Sequence, residues 1–123
     1  MAQPNYLLLY VDSPANSADF YRGLLNREPV ESSPTFALFA LDNGLKLGLW
    51  SKHTVEPAAV ASGGGCELGF PVVDDDAVRT LFQAWHAKGM PILQPPTSMD
   101  FGYTFVAQDL DGHRLRVFSL RTE

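Results

Sequence analysis

Residues 6–14 read YLLLYVDSP, and residues 67–76 read ELGFPVVDDD. Each opens on a short apolar run that suits a pleated strand and is then stopped by acidic residues. In the first stretch Ser13 stands directly before Pro14, the pattern of a helix cap followed by proline in the opening turn. In the second, Asp74, Asp75 and Asp76 fall where the positive end of a helix would begin. The segment after each stretch is helical in period. Ala18, Tyr21 and Leu25, with Phe20 and Leu24, recur at helical spacing in one half; Ala77, Val78, Leu81, Phe82 and Trp85 do so in the other. The same strand-then-helix unit therefore occurs twice.

Working outward, Asn26-Arg27-Glu28-Pro29 closes the first helix. Strands are predicted at 30–32, 35–41 and 45–50, the last two joined by the hairpin turn Asp42-Asn43-Gly44. A stretch with Pro57, several alanines and Gly63-Gly64-Gly65 reads as a linker. In the second half a strand at 67–73 and the helix lead to Lys88-Gly89 and Pro91, a helix stop. Strands follow at 92–94, 103–108 and 114–120, with Asp109-Leu110-Asp111-Gly112 as the final turn. Each half is β-α-β-β-β. The expected fold class is α+β: two βαβββ modules, at about 5–50 and 66–120, joined by a linker at 51–65 within one domain. They should form a cup-shaped, partly open mixed sheet with the helices on its convex face.

Side chains alternate across a strand. Leu7, Leu9 and Val11 share one face, and Tyr6, Leu8 and Tyr10 the other. Leu45, Leu47 and Leu49 oppose Lys46, Gly48 and Trp50; Leu68, Phe70 and Val72 oppose Glu67, Gly69 and Pro71; Leu115 and Val117 oppose Arg114, Arg116 and Phe118. One face is aliphatic or Phe and must carry the helices. The other mixes aromatics, charges and glycine. A plain solvent-facing sheet would explain the charges but not Trp50, Tyr10 and Phe118. Apolar walls with a few oriented polar groups are what a small-molecule site needs.

Composition narrows the partners. The chain has 123 residues, 46% of them apolar, enough for a real core. With 14 acidic against 9 basic residues the net charge is −5, and no Lys/Arg run interrupts it, which argues against nucleic acid. No apolar run approaches a membrane span, and the start MAQPN has no leader-like stretch. Cys66 is the sole cysteine, which excludes an internal disulfide and fits a reducing, cytoplasmic setting; it reads as a half-buried strand residue. His53, His86 and His113 lack ligand spacing and read as solvated. Gly63-Gly64-Gly65 is not followed by the Gly-Lys-Ser/Thr of a phosphate loop, and no G-x-S-x-G elbow is present.

Val11-Asp12-Ser13 through Ser17-Ala18-Asp19-Phe20-Tyr21, Leu68-Gly69-Phe70 with Val72-Val73-Asp74-Asp75, and Asp109-Leu110-Asp111-Gly112-His113 stand in an order and spacing that cover nearly the whole chain. In this the chain resembles the vicinal oxygen chelate superfamily of glyoxalase I, extradiol dioxygenases and bleomycin-resistance proteins. Phe20-Tyr21-Arg22, Glu28-Pro29-Val30, Leu49-Trp50-Ser51 and Glu56-Pro57 look like its metal-free antibiotic-binding branch, the phenazine-antibiotic resistance type.

The resemblance places the superfamily's four metal-ligand positions at Tyr6, Gly48, Glu67 (or Leu68, if the strand is read one residue later) and Arg116. Of the preferred four only Glu67 would ligate well, and a permanent cation at Arg116 repels a divalent metal. The expectation is a protein with no metal, no cofactor and no catalytic residue, binding a planar aromatic or hydrophobic antibiotic-like molecule. Its expected ligand-binding residues are Tyr6, Leu8, Tyr10, Lys46, Gly48, Trp50, Glu67, Arg116 and Phe118. Trp50 can stack on a flat ring or serve core or dimer packing. Arg116 can hold a ligand carboxylate, pair with Glu67, or both. A glyoxalase-type lyase or isomerase, a metal-free enzyme with Glu67 as base, and a vestigial domain with a filled cup are the alternatives. Drug-binding members of the superfamily form dimers, so a homodimer is expected.

Overall fold

The computed structural model describes residues 2–121. The chain divides into two compact units, residues 1–63 and 64–123. The first contains β1 (Tyr6–Val11), α1 (Pro14–Leu25), β2 (Glu31–Ser32), β3 (Phe36–Ala40) and β4 (Lys46–Ser51). The second contains β5 (Glu67–Pro71), α2 (Asp75–Ala87), β6 (Ile92–Met99), β7 (Gly102–Gln108) and β8 (Arg114–Leu120). Each unit is one helix on one four-stranded mixed sheet, and the β-α-β-β-β order of both halves is as the sequence predicts.

The sheets share a topology. Strand order is β1-β4-β3-β2 in the first and β5-β8-β7-β6 in the second. In each, the strand before the helix pairs in parallel with the last strand, and the other pairings are antiparallel. The helix is the crossover that a parallel neighbour requires.

The helix starts follow from the predicted caps. The Ser13 hydroxyl accepts from the Asn16 N–H at 3.2 Å with Pro14 in the first turn. Asp74 accepts from the Ala77 N–H at 2.8 Å, and Asp75 and Asp76 lie in the first turn of α2. Helix α1 ends at Asn26 in the left-handed region, φ 52°, which asparagine tolerates.

Each helix buries one face against its own sheet. In the first unit Val11, Tyr21, Phe39, Leu47 and Leu49 are fully buried; in the second Val78, Phe105, Leu115 and Val117 are. Burying such a side chain contributes about 1.5–3 kcal/mol. Trp85 is core, with its ring edge-on to Phe70 at 5.4 Å and to Phe105 at 5.3 Å. The α1 stripe is narrower than its periodicity suggests: Ser17 is buried, while Phe20, Leu24 and Leu25 are only half-buried.

Four expectations are corrected. β6 runs to Met99 through Pro95 and Pro96 rather than stopping at Gln94. It is an edge strand with register breaks on both sides of Gln94, and an edge with bulges is where a sheet accepts proline. β5 ends at Pro71, two residues before Val73. Cys66 is exposed, one residue ahead of β5. His113 is buried, because the Asp109 carboxylate accepts from the N–H groups of Asp111 and His113, both at 2.9 Å, and folds the turn inward. At Gly102, φ is 151° and a Cβ would lie 2.0 Å from the Ser119 carbonyl oxygen; only glycine can stand there.

Candidate functional site

The face of the first sheet opposite α1 is built in rows set by strand register. Tyr6 lies beside Lys46, and Lys46 beside Ala40; Leu8, Gly48 and Leu38 form the next row; Tyr10, Trp50 and Phe36 the third. Edge strand β2 adds Glu31 opposite Leu38. A concavity of about 430 Å³ opens on this face, lined by Tyr6, Leu8, Glu31, Phe36, Leu38 and Trp50. That is the size of an ordinary small-molecule site. Tyr6 is 55% exposed and Leu8 43%, so apolar surface is left open to water. The Trp50 ring stands edge-on to Phe36 at 6.1 Å and 85°. Lys46 Nζ lies 5.3 Å from the centre of the Tyr6 ring, a cation–π contact. Gly48 is buried: a Cβ there would meet Leu8 Cδ2 at 2.6 Å and Phe36 Cζ at 3.0 Å. Its role in this face is to let those two side chains close over the middle strand.

The corresponding face of the second sheet is polar and tied together. Arg116 Nε donates to Glu67 Oε1 at 2.7 Å and Nη2 to Oε2 at 2.9 Å, a two-pronged pair. Its Nη1 also reaches Thr104 Oγ1 at 3.3 Å and Gln94 Oε1 at 3.4 Å. The hydrogen bond from Arg116 holds the Glu67 carboxyl below its usual range, with the charges of Arg116 and Arg114 adding to it against partial burial. Phe118 lies against Gly69, where a Cβ would be 3.2 Å from its ring, and Phe101 meets Phe118 edge-on at 6.4 Å.

A second hollow, about 480 Å³, lies in the second unit beside the start of α2. Its polar groups already serve each other. Asp74 caps the helix, Asp76 pairs with Arg79, and Ser119 donates to Asp75 at 2.5 Å. It offers little apolar floor, and the first-unit concavity is the better candidate.

Of the nine expected ligand-binding residues, the first unit brings Tyr6, Leu8, Tyr10, Lys46, Gly48 and Trp50 onto one sheet face; Tyr6, Leu8 and Trp50 line the concavity itself. Glu67, Arg116 and Phe118 share a face in the second unit. Sequence reasoning missed Phe36, Leu38 and Glu31 in the first unit and Gln94, Thr104 and Phe101 in the second. β3 reads FALFA, apolar on both faces, so alternation carries no signal there. Glu31 was legible as an acid in a weak strand, but its register was not.

The four metal-ligand positions are a poor donor set. Tyr6 is engaged by Lys46, Gly48 has no side chain, Glu67 is held by Arg116, and Arg116 is itself a cation. The histidines are elsewhere: His53 Nε2 lies 2.8 Å from Asp12 Oδ1, and His86 sits against Phe82 on α2. Among the described residues no three of His, Cys, Asp and Glu gather in a way that could hold a metal ion.

The family model described as the Glyoxalase/Bleomycin resistance protein/Dioxygenase superfamily matches residues 3–117. The chain belongs to this superfamily. Among its superfamily relatives, the Phenazine antibiotic resistance protein EhpR of Enterobacter agglomerans is 32% identical over 120 residues, 95% of this chain and 92% of the relative. The solution NMR structure of protein ATC0852 from Agrobacterium tumefaciens is 55% identical, with a TM-score of 0.92, covering 99% of this chain and all of that one. A glyoxalase-related enzyme from Fulvimarina pelagi shares the superfamily fold at a TM-score of 0.83 and 23% identity, over 97% of this chain and 88% of that one. Among the described residues no helix is long and apolar enough to cross a membrane.

Proposed function

We propose that this chain is a resistance-type binding protein that sequesters a planar aromatic, antibiotic-like molecule without metal and without turnover. The observation that carries the reading is the open apolar concavity on the first sheet, with Trp50 and Phe36 at one end and Tyr6 at the other. Its aromatic and aliphatic lining offers contact area and stacking, and a relative 32% identical is a phenazine antibiotic resistance protein. Tyr10 and Lys46 extend that face, and Gly48 shapes its floor. Glu67, Arg116 and Phe118 are proposed as a polar second surface for ligand orientation.

The rivals fit less well. A glyoxalase-type lyase or isomerase needs a metal to polarise oxygen, and Tyr6, Gly48, Glu67 and Arg116 are unsuited to hold one. Glu67 as a base would need a raised pKa near neutrality; Arg116 pushes it the other way.

The test is fluorescence titration with phenazines, quinones and other flat polycycles. Trp50 and Trp85 are the two indoles, so Trp85→Phe leaves Trp50 as reporter. Stacking adds roughly 0.5–1.5 kcal/mol beyond area burial, and the indole's area adds about 25 cal/mol per Å². Trp50→Ala should therefore weaken binding at least about tenfold, with Trp85→Phe close to wild type. A broad panel without saturable quenching or thermal stabilisation rejects sequestration; released product identifies an enzyme.

We further propose a cytoplasmic homodimer, since the sheet face bearing Tyr6 and Leu8 exposes more apolar surface than a small monomer usually leaves open. Sedimentation at micromolar concentration should give twice the chain mass, and a persistent monomer rejects it.

A further inference from the structure

The concavity of the first unit is apolar, yet one of its six lining residues is an acid, Glu31 on edge strand β2. Glu31 stands directly opposite Leu38 in an antiparallel pair. Opposed residues of such a pair share a face, so the carboxylate is on the side of Leu38, Phe36 and Trp50. Four other acids of this unit are committed: Asp19 and Glu28 to Arg22, Asp42 to Arg27, Asp12 to His53. Glu31 takes part in none of the ion pairs among the described residues. Lys46 shares the face but lies two strands across and two residues along, roughly 12 Å away by strand spacing. That exceeds the screening length of about 8 Å at physiological salt, and its Nζ is placed over the Tyr6 ring.

We infer that the site selects aromatic ligands carrying a positive charge, a protonated amine or ring nitrogen, with the charge held at Glu31 and the ring on Trp50 and its apolar neighbours. The inference rests on the sequestration reading above and names the ligand class for the same site. A bound ring displaces water from one side of the carboxylate, and a charge pair strengthens as the local dielectric falls. The chain's net charge of −5 draws cations toward it and holds anions off. A negatively charged ring would meet Glu31 as a like charge with no cation lining the concavity.

The experiment compares three flat three-ring probes: aminoacridine, cationic at neutral pH; phenazine, neutral; and a phenazine carboxylate, anionic. Aminoacridine should bind wild type roughly two- to fivefold more tightly than phenazine, the scale of one exposed ion pair, and the carboxylate more weakly than either. Glu31→Gln should erase the cation's advantage over phenazine, and Glu31→Lys should move the preference to the carboxylate. High salt should narrow the wild-type spread. Equal binding of cation and neutral ring, or a cation advantage that survives both substitutions, overturns the inference while phenazine binding leaves sequestration standing. Absence of binding by all three probes removes the sequestration reading, and this one with it.

Discussion

The two sheet faces are laid on the same strand order and filled in opposite ways. At the centre of the first, Leu8 and Leu38 flank Gly48; at the centre of the second, Gly69 and Val106 flank Arg116. Each face has a glycine covered by a neighbour's side chain, on β4 in one unit and on β5 in the other. Over Gly48 lie Leu8 and Phe36; over Gly69 lies Phe118. The large central residue then decides the chemistry. Leucine leaves an apolar surface open to water. Arginine turns its donors to Glu67, Thr104 and Gln94 and leaves a polar face that is largely satisfied. A repeated backbone can thus carry one face that is open and apolar and one whose polar groups are tied together by an ion pair.

That contrast breaks most visibly at Arg116. Its side chain is 20% exposed and that of Glu67 is 32%, so removing the cation strands a partly desolvated carboxylate. Breaking a fully buried pair costs about 3–5 kcal/mol, an exposed one about 1 or less. Arg116→Ala should fall between, at about 2 kcal/mol, read from the urea midpoint at neutral pH. Adding Glu67→Ala should recover part of the loss, since the stranded charge goes with it. A change within about 0.5 kcal/mol, the scale of an ordinary surface site, would mean that the pair is loosely solvated and the second face as open as the first.

Much of this is legible in the amino-acid order alone. The caps at Ser13 and Asp74, the turns at Asn43-Gly44 and Asp111-Gly112, and alternation in β1, β4 and β8 identify the elements and sort Trp50 from Leu49 and Arg116 from Val117. The Glu67–Arg116 pair follows from the same alternation. What alternation cannot see is a strand apolar on both sides, which hid Phe36 and Leu38, or a strand two residues long, which hid Glu31. The run of β6 on through Pro95 and Pro96 is not legible either, because it depends on β6 being an edge, a property of sheet order. The burial of His113 depends on the Asp109 side chain folding the turn.

The smallest effect is a pH dependence, and it separates the two faces without mutating the first. Arg116 holds the Glu67 carboxyl below its ordinary value of 4.5. In the unfolded chain that pairing is lost, so acidification protonates the unfolded state first. The stability contributed by the pair is whole above about pH 4.5 and is lost as pH falls through the folded value. Asp12 is also lowered, chiefly by the hydrogen bond with His53, and contributes in the same direction. Salt distinguishes them. The Asp12–His53 contact is exposed on both sides and should be screened, whereas the half-buried Glu67–Arg116 pair should be screened much less. At high salt, wild type should still lose stability on acidification below about pH 4.5 relative to Glu67→Gln, by less than the loss on Arg116→Ala, since a protonated Glu67 keeps an acceptor for the guanidinium. Melting curves of the two proteins that stay parallel down through that range would show that Glu67 titrates alike folded and unfolded. The second face would then owe its polar order to Thr104 and Gln94 rather than to the ion pair.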